Sequence, residues 1–106
     1  IQNPRVRVDV VHAQPASPYA ATGGEHWNKL AKAAAHTWDG CIVSPYLMLA
    51  ASDSRHYGRI SRNVYRFCPI EMSNEERAGI HGNDEHIPTY KIAKCAEFYL
   101  RLISSC

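Results

Sequence analysis

Residues 41–51 read CIVSPYLMLAA, and this nearly unbroken apolar stretch decides which fold the sequence predicts. A short apolar run of this kind is typical of a buried strand covered on both faces. Pro45 cannot donate a ladder hydrogen bond, so we expect the strand itself to begin near Tyr46. A second apolar run at residues 64–70 predicts another buried strand.

Amphipathic helices are predicted on either side of these runs. Apolar residues recur at steps of three and four from residue 25 to about residue 38, and Gly40 suits the left-handed turn that follows a helix. A last helix is expected from about residue 89 to residue 104, directly after Pro88. Its predicted apolar stripe comprises Ile92, Ala96, Tyr99, Leu100 and Ile103. Two buried strands with helices between and after them predict an α/β fold class.

The N-terminal segment has a different pattern. Residues 5–10 alternate charged side chains with Val6, Val8 and Val10, which is typical of a strand with one solvated face. Residues 12–18 contain Pro15 and Pro18 and cannot form a regular ladder, so they predict a linker or a crossing between layers.

Composition excludes several classes of protein. The chain has 106 residues, of which 12 are Lys or Arg and 10 are Asp or Glu, so a dedicated nucleic-acid binder is not expected. No run reaches the roughly 18 apolar residues of a membrane span. The length suits one domain, and a start at Ile1 without methionine indicates a processed protein or a piece of a longer one.

The cysteines indicate neither a zinc knuckle nor a thioredoxin-type redox motif, because no two of them have C-x-x-C spacing. They lie at positions 41, 68, 95 and 106. Because Cys41, Cys68 and Cys95 lie in apolar stretches, we expect them to be small buried side chains.

Two polar loops follow the predicted strands, at the sheet edge where open α/β folds bind ligands. In residues 52–57, Arg55 offers a planar fork for a carboxylate, although Asp53 is an equally good structural partner for it. In residues 81–86, His81 is a candidate metal ligand, and Gly82 permits a close approach of the backbone. The alternative for this second loop is a solvated turn whose Asp84 and Glu85 complement the following helix.

Four blocks in register carry a family resemblance: SDSRHY at 52–57, VYRFCPIE at 64–71, GIHGNDEHI at 79–87 and the final helix. From about Trp27 onward the chain resembles the C-terminal part of the aminoacylase and carboxypeptidase S group of metallopeptidase family 20. The resemblance implies a fragment of a three-layer α/β/α zinc-peptidase catalytic domain, preceded by one strand of a lid domain. Residues 1–13 would be the last lid (dimerisation-type) strand, 14–24 a linker, and 25–106 the C-terminal part of the catalytic domain.

The resemblance also implies roles for individual residues. His81 matches the last metal ligand of a two-zinc centre, and Glu85 and Gly82 would support its loop. Ser52, Asp53 and Arg55 match the block that meets the free carboxylate of the substrate. The implied reaction of the parent enzyme is hydrolysis of the amide bond of an N-acyl amino acid or short peptide.

The rest of that machinery is missing from the sequence. No histidine has an aspartate two positions later, so the family's H-x-D metal motif is absent. The resemblance implies that the family's bridging aspartate and its catalytic pair of glutamates also lie outside these 106 residues. One histidine cannot hold a catalytic zinc, which needs three protein ligands. We therefore expect no catalytic residue within this chain, no zinc held by it alone and no activity in isolation.

For the parent enzyme the resemblance implies two zinc ions, the remainder of that enzyme as partner, a homodimer formed through the lid, and a vacuolar or secreted location. Two alternatives remain open at this point. One is a non-catalytic carboxylate-binding module that retains the substrate loop around Arg55. The other is a small metalloprotein that uses His81, Asp84 and His86.

Overall fold

A computed structural model describes residues 2–106, and four helices form within them. Helices α1 (Glu25–Thr37) and α4 (Thr89–Ile103) are long, whereas α2 (Ser54–Tyr57) and α3 (Asn74–Ala78) are single short turns. Both long helices were predicted from the apolar periodicity to within one residue at each end. None of the described helices is long and apolar enough to cross a membrane.

Local interactions explain where helix α1 begins and ends. Its first turn carries the Glu25–Lys29 ion pair at 2.8 Å, one turn apart on the same face. The helix ends at Thr37, whose hydroxyl donates to the Ala33 carbonyl at 2.8 Å. Gly40 follows with φ 71°, the left-handed conformation expected of a glycine after a helix.

The core lies where α1 packs against α4. Phe98 of α4 is 1% exposed and contacts the neighbouring Trp38 and Phe67 rings at centroid distances of 5.9 and 5.1 Å. Ala33 and Ala34 of α1 are the other buried hydrophobic residues that the structure describes. Lys94 adds a polar link, because its Nζ donates to the Thr37 carbonyl at 3.3 Å.

The buried face of α4 differs from the predicted stripe. Lys91 and Phe98 are buried, and Leu102 packs against the core. The predicted stripe residues are all exposed: Ile92, Ala96, Tyr99, Leu100 and Ile103. Apolar spacing alone does not say which of two apolar faces meets the single packed neighbour, so this prediction was wrong.

The α/β prediction was also wrong, because no strand forms among residues 2–106. Neither the two predicted buried strands nor the lid strand at residues 1–13 is seen, and Ile1 of that segment lies outside the described residues. A strand is stabilised by ladder hydrogen bonds to a neighbour, and these segments pair with none. Ile42 and Leu49 are accordingly 93% and 88% exposed.

The surface of the molecule is large for its mass. The accessible area is 9285 Å², against roughly 5900 Å² for a compact protein of 11.9 kDa. The radius of gyration is 18.0 Å, against about 13 Å for a compact domain of this length. Many apolar side chains are therefore exposed to solvent.

The cysteines follow the same trend. Cys41 and Cys68 are exposed and Cys95 is partly exposed, so their predicted burial is wrong. All four cysteines are free thiols.

Candidate functional site

The first polar loop is built around the short helix α2. The Arg55 N–H donates to the Ser52 carbonyl at 3.3 Å, and the His56 N–H donates to the Asp53 carbonyl at 3.0 Å. The Arg55 side chain is exposed, and its Nε donates to His56 Nε2 at 3.3 Å. Asp53 makes neither an ion pair with Arg55 nor a side-chain cap to α2. The structure therefore lacks the Asp53–Arg55 pair that was the alternative for this loop.

A residue that the sequence analysis did not select holds α2 in place. Arg66 is half-buried, and its Nε donates to Ser54 Oγ at 2.7 Å. Its neighbour Tyr65 is fixed towards α1: the Tyr65 hydroxyl donates to the Ala21 carbonyl at 2.8 Å, and its ring lies 5.9 Å from that of Trp27. Residues 65–66 therefore connect α1 to the Arg55 loop.

This loop borders a large open cleft of about 1420 Å³. The cleft lies between α1, the extended apolar segment 38–52 and the segment 64–71. Ser52, Arg55 and Arg66 line it, whereas Asp53 does not. Two of the three predicted substrate residues thus border one cavity, together with an arginine that was missed.

The second polar loop connects α3 to α4 and has a tightly constrained backbone. His81 adopts φ 64°, which is uncommon for a residue other than glycine. Its N–H donates to Glu85 Oε2 at 3.0 Å, and the Gly82 N–H donates to the Gly79 carbonyl at 2.8 Å. A Cβ at position 82 would lie 2.9 Å from that carbonyl oxygen, so only glycine fits without a shift. Glu85 and Gly82 thus determine the backbone at His81.

Both ends of this loop are anchored by one carboxylate. Glu76 forms a capping box with Ser73, accepting the Ser73 N–H at 2.7 Å while Ser73 Oγ accepts the Glu76 N–H at 3.2 Å. Lys91 Nζ donates to both Glu76 carboxylate oxygens at 2.6 Å. This contact lowers the pKa of Glu76, which the Ser73 N–H lowers further, and raises the pKa of Lys91. The S-x-x-E sequence at 73–76 is the signal that identifies this cap.

The residues present do not fit a complete metal centre. Within residues 2–106 no three His, Cys, Asp or Glu side chains converge. Beside His81, the His86 Nδ1 is 2.7 Å from the Asp84 carbonyl oxygen, so these neighbours interact with each other. His81 lines neither the large cleft nor the cavity of about 180 Å³ beneath its loop. The two predicted loops are therefore not brought into one cavity by the residues described.

Residues 5–105 match the family model described as Peptidase family M20/M25/M40. The match covers nearly the whole chain, and the chain belongs to this peptidase family, as its sequence blocks predicted.

Named relatives agree with this assignment. The chain is 29% identical to "Probable carboxypeptidase S-like 2" of Dictyostelium discoideum, over 99% of the chain and 20% of that protein. It is 30% identical to "N-fatty-acyl-amino acid synthase/hydrolase PM20D1" of Xenopus tropicalis, over 99% of the chain and 21% of that protein. The chain thus spans about a fifth of the length of these relatives. No solved structure matches it.

Proposed function

We propose that residues 1–106 form the C-terminal part of a zinc-dependent hydrolase that cleaves the amide bond of N-acyl amino acids or of short peptides with a free carboxylate. Support comes from the family membership and from relatives named as a carboxypeptidase S-like protein and an N-fatty-acyl-amino acid synthase/hydrolase. The zinc and the substrate class are parts of this proposal.

The observation that carries the proposal is the uncovered surface. A domain of this length that folded as a unit would bury its large apolar side chains, yet Ile42, Tyr46 and Leu49 are more than four-fifths exposed. The accessible area exceeds that of a compact protein by more than half. The remainder of the parent enzyme covers much of this apolar surface, leaves the part of the cleft beside Arg55 open to substrate, and is the chain's first partner.

The proposed division of the chain has residues 1–13 in a lid (dimerisation-type) domain, 14–24 as a linker and 25–106 in the catalytic domain. Residues 2–13 are all exposed, which supports placing them outside the unit formed by α1 and α4. From the family resemblance we also propose a homodimer formed through the lid and a vacuolar or secreted location.

Within the complete enzyme, residues of this chain bind zinc and orient the substrate. His81 offers an exposed imidazole on a backbone held by Glu85 and Gly82, and we propose it as one ligand of the two-zinc site. Ser52 and Arg55 lie at the cleft to hold the substrate carboxylate, with Asp53 in the same turn. The other ligands and the general base must come from outside residues 1–106, so this chain has no activity alone.

The test compares the isolated chain with the complete protein, using an N-acyl amino acid and the carboxamide of the same compound. We expect hydrolysis by the complete protein only, with the carboxylate preferred. His81→Ala should abolish turnover and lower the bound zinc. Arg55→Gln should weaken the preference for the carboxylate, and Arg59→Gln, outside the cleft, should not.

The competing class is a non-catalytic carboxylate-binding module, for which the unpaired Arg55 at the cleft is the specific observation. It predicts carboxylate binding by metal-free protein without any hydrolysis. If the complete protein bound a carboxylate without metal and hydrolysed no substrate, the hydrolase proposal would be wrong and the binding module would take its place.

A further inference from the structure

Four arginines lie within twelve positions of the sequence, and the structure divides them into two pairs. The set is Arg55, Arg59, Arg62 and Arg66. Arg55 and Arg66 line the large cleft, whereas Arg59 and Arg62 do not. Arg55 and Arg66 therefore border the same open cleft, and Arg59 and Arg62 serve as comparisons outside it.

Among residues 2–106, neither arginine of the cleft pair has an anionic partner. The ion pairs found among residues 2–106 involve other cations, including Arg7, Lys91 and Arg101. Arg66 is half-buried and its Nε binds the neutral Ser54 hydroxyl. A guanidinium that has lost part of its water without gaining a carboxylate is favourably matched by an anion from outside.

Contacts on both sides determine the position of Arg66. The preceding Tyr65 is fastened to α1 through Trp27 and the Ala21 carbonyl. Arg66 then reaches Ser54, the residue directly before Arg55. The bond between Arg66 and Ser54 therefore links Arg66 to the short helix that carries Arg55.

We propose that Arg66 is a second carboxylate-binding residue that acts beside Arg55, and that its bond to Ser54 holds the two guanidinium groups at one substrate anion. This inference rests on the proposed function, because it assigns a further residue to the same substrate site. Two arginines give the site a stronger selection for a free carboxylate than one does, since a neutral carboxamide leaves both unpaired.

The test uses the complete enzyme with the same N-acyl amino acid and its carboxamide. Arg66→Gln should raise KM for the carboxylate about 10- to 100-fold, the range for losing a hydrogen bond to a charged group. Its KM for the carboxamide and its kcat for either compound should change little. Arg66→Lys keeps the charge but loses the planar fork, so it should recover part of the preference.

Arg62→Gln is the matched control, because it makes the same chemical change in the same cluster outside the cleft. It should leave both KM values unchanged. If Arg66→Gln is poorly folded, the Arg66→Lys comparison carries the test, and a carboxylate preference equal to that of wild type would then overturn the inference.

The outcomes separate the two proposals. If Arg55→Gln weakens the carboxylate preference and Arg66→Gln raises both KM values equally or neither, Arg66 is not part of the substrate site and the proposed function stands. If Arg55→Gln also leaves the preference unchanged, the substrate loop itself is wrongly assigned.

Discussion

Replacing Phe98 with alanine is the most severe single change that the core of this chain can undergo. Phe98 is 1% exposed and is the largest fully buried side chain among the described residues. Its ring meets those of Trp38, Phe67 and Tyr99 at centroid distances of 5.9, 5.1 and 5.3 Å. It therefore joins α1, α4 and the segment at residues 64–70.

The expected loss is about 3–5 kcal/mol, the usual cost of a buried phenylalanine-to-alanine change. Each aromatic contact contributes about 0.5–1.5 kcal/mol beyond the area it buries. A protein domain unfolds with about 5–15 kcal/mol in total, so a loss of this size is a large fraction of its stability. Phe98→Ala should therefore remove most of the stability of α1 packed on α4.

Urea denaturation of the complete protein that contains this chain, followed by circular dichroism, measures this loss. The matched control is Ile103→Ala on the same helix, where the side chain is 69% exposed and the expected change is below about 0.5 kcal/mol. A loss at Phe98 no larger than that at Ile103 would refute the assignment of the core to the α1–α4 contact.

Two further changes concern the His81 loop. Gly82→Ala should lower the stability of the loop by about 1–3 kcal/mol, because the new Cβ meets the Gly79 carbonyl oxygen at 2.9 Å. We expect faster amide hydrogen exchange at His81 in this variant, and unchanged exchange would contradict the prediction. The Glu76–Lys91 pair lowers the pKa of Glu76 from 4.5, so its stabilisation is present above that value and is lost as pH falls through the lowered pKa. Urea midpoints measured against pH should show this loss in wild type and not in Glu76→Gln; equal profiles would refute the pair.

Local signals in the sequence predicted the helices well. The apolar spacing from residue 25 and the glycine at position 40 both depend on near neighbours in the chain, and both match the structure. Strands are different, because their hydrogen bonds go to segments distant in sequence. Residues 41–51 have strand composition but no pairing neighbour among the described residues, so an α/β layer could not form from this chain.

Likewise, the candidate site was predicted only where its contacts join residues that are close in sequence. The Glu85 contact to the His81 backbone lies within one loop, where a role for Glu85 in holding that loop could be proposed from sequence. Arg66 was missed because its partner Ser54 is twelve residues away, and only the fold shows that both border the cleft. Lys91 was missed because a lysine on a helix is usually solvated, whereas here it meets the capping carboxylate of α3.

The most direct measurement is zinc binding and hydrolysis of an N-acyl amino acid by the isolated chain and by the complete protein that contains it. If residues 1–106 supply one metal ligand to an M20-family hydrolase, only the complete protein binds zinc tightly and turns over substrate, and His81→Ala impairs both. A single tight zinc site in the isolated chain would instead support a small metalloprotein using His81, Asp84 and His86. Hydrolysis by the isolated chain with added zinc would contradict the proposed division of the enzyme.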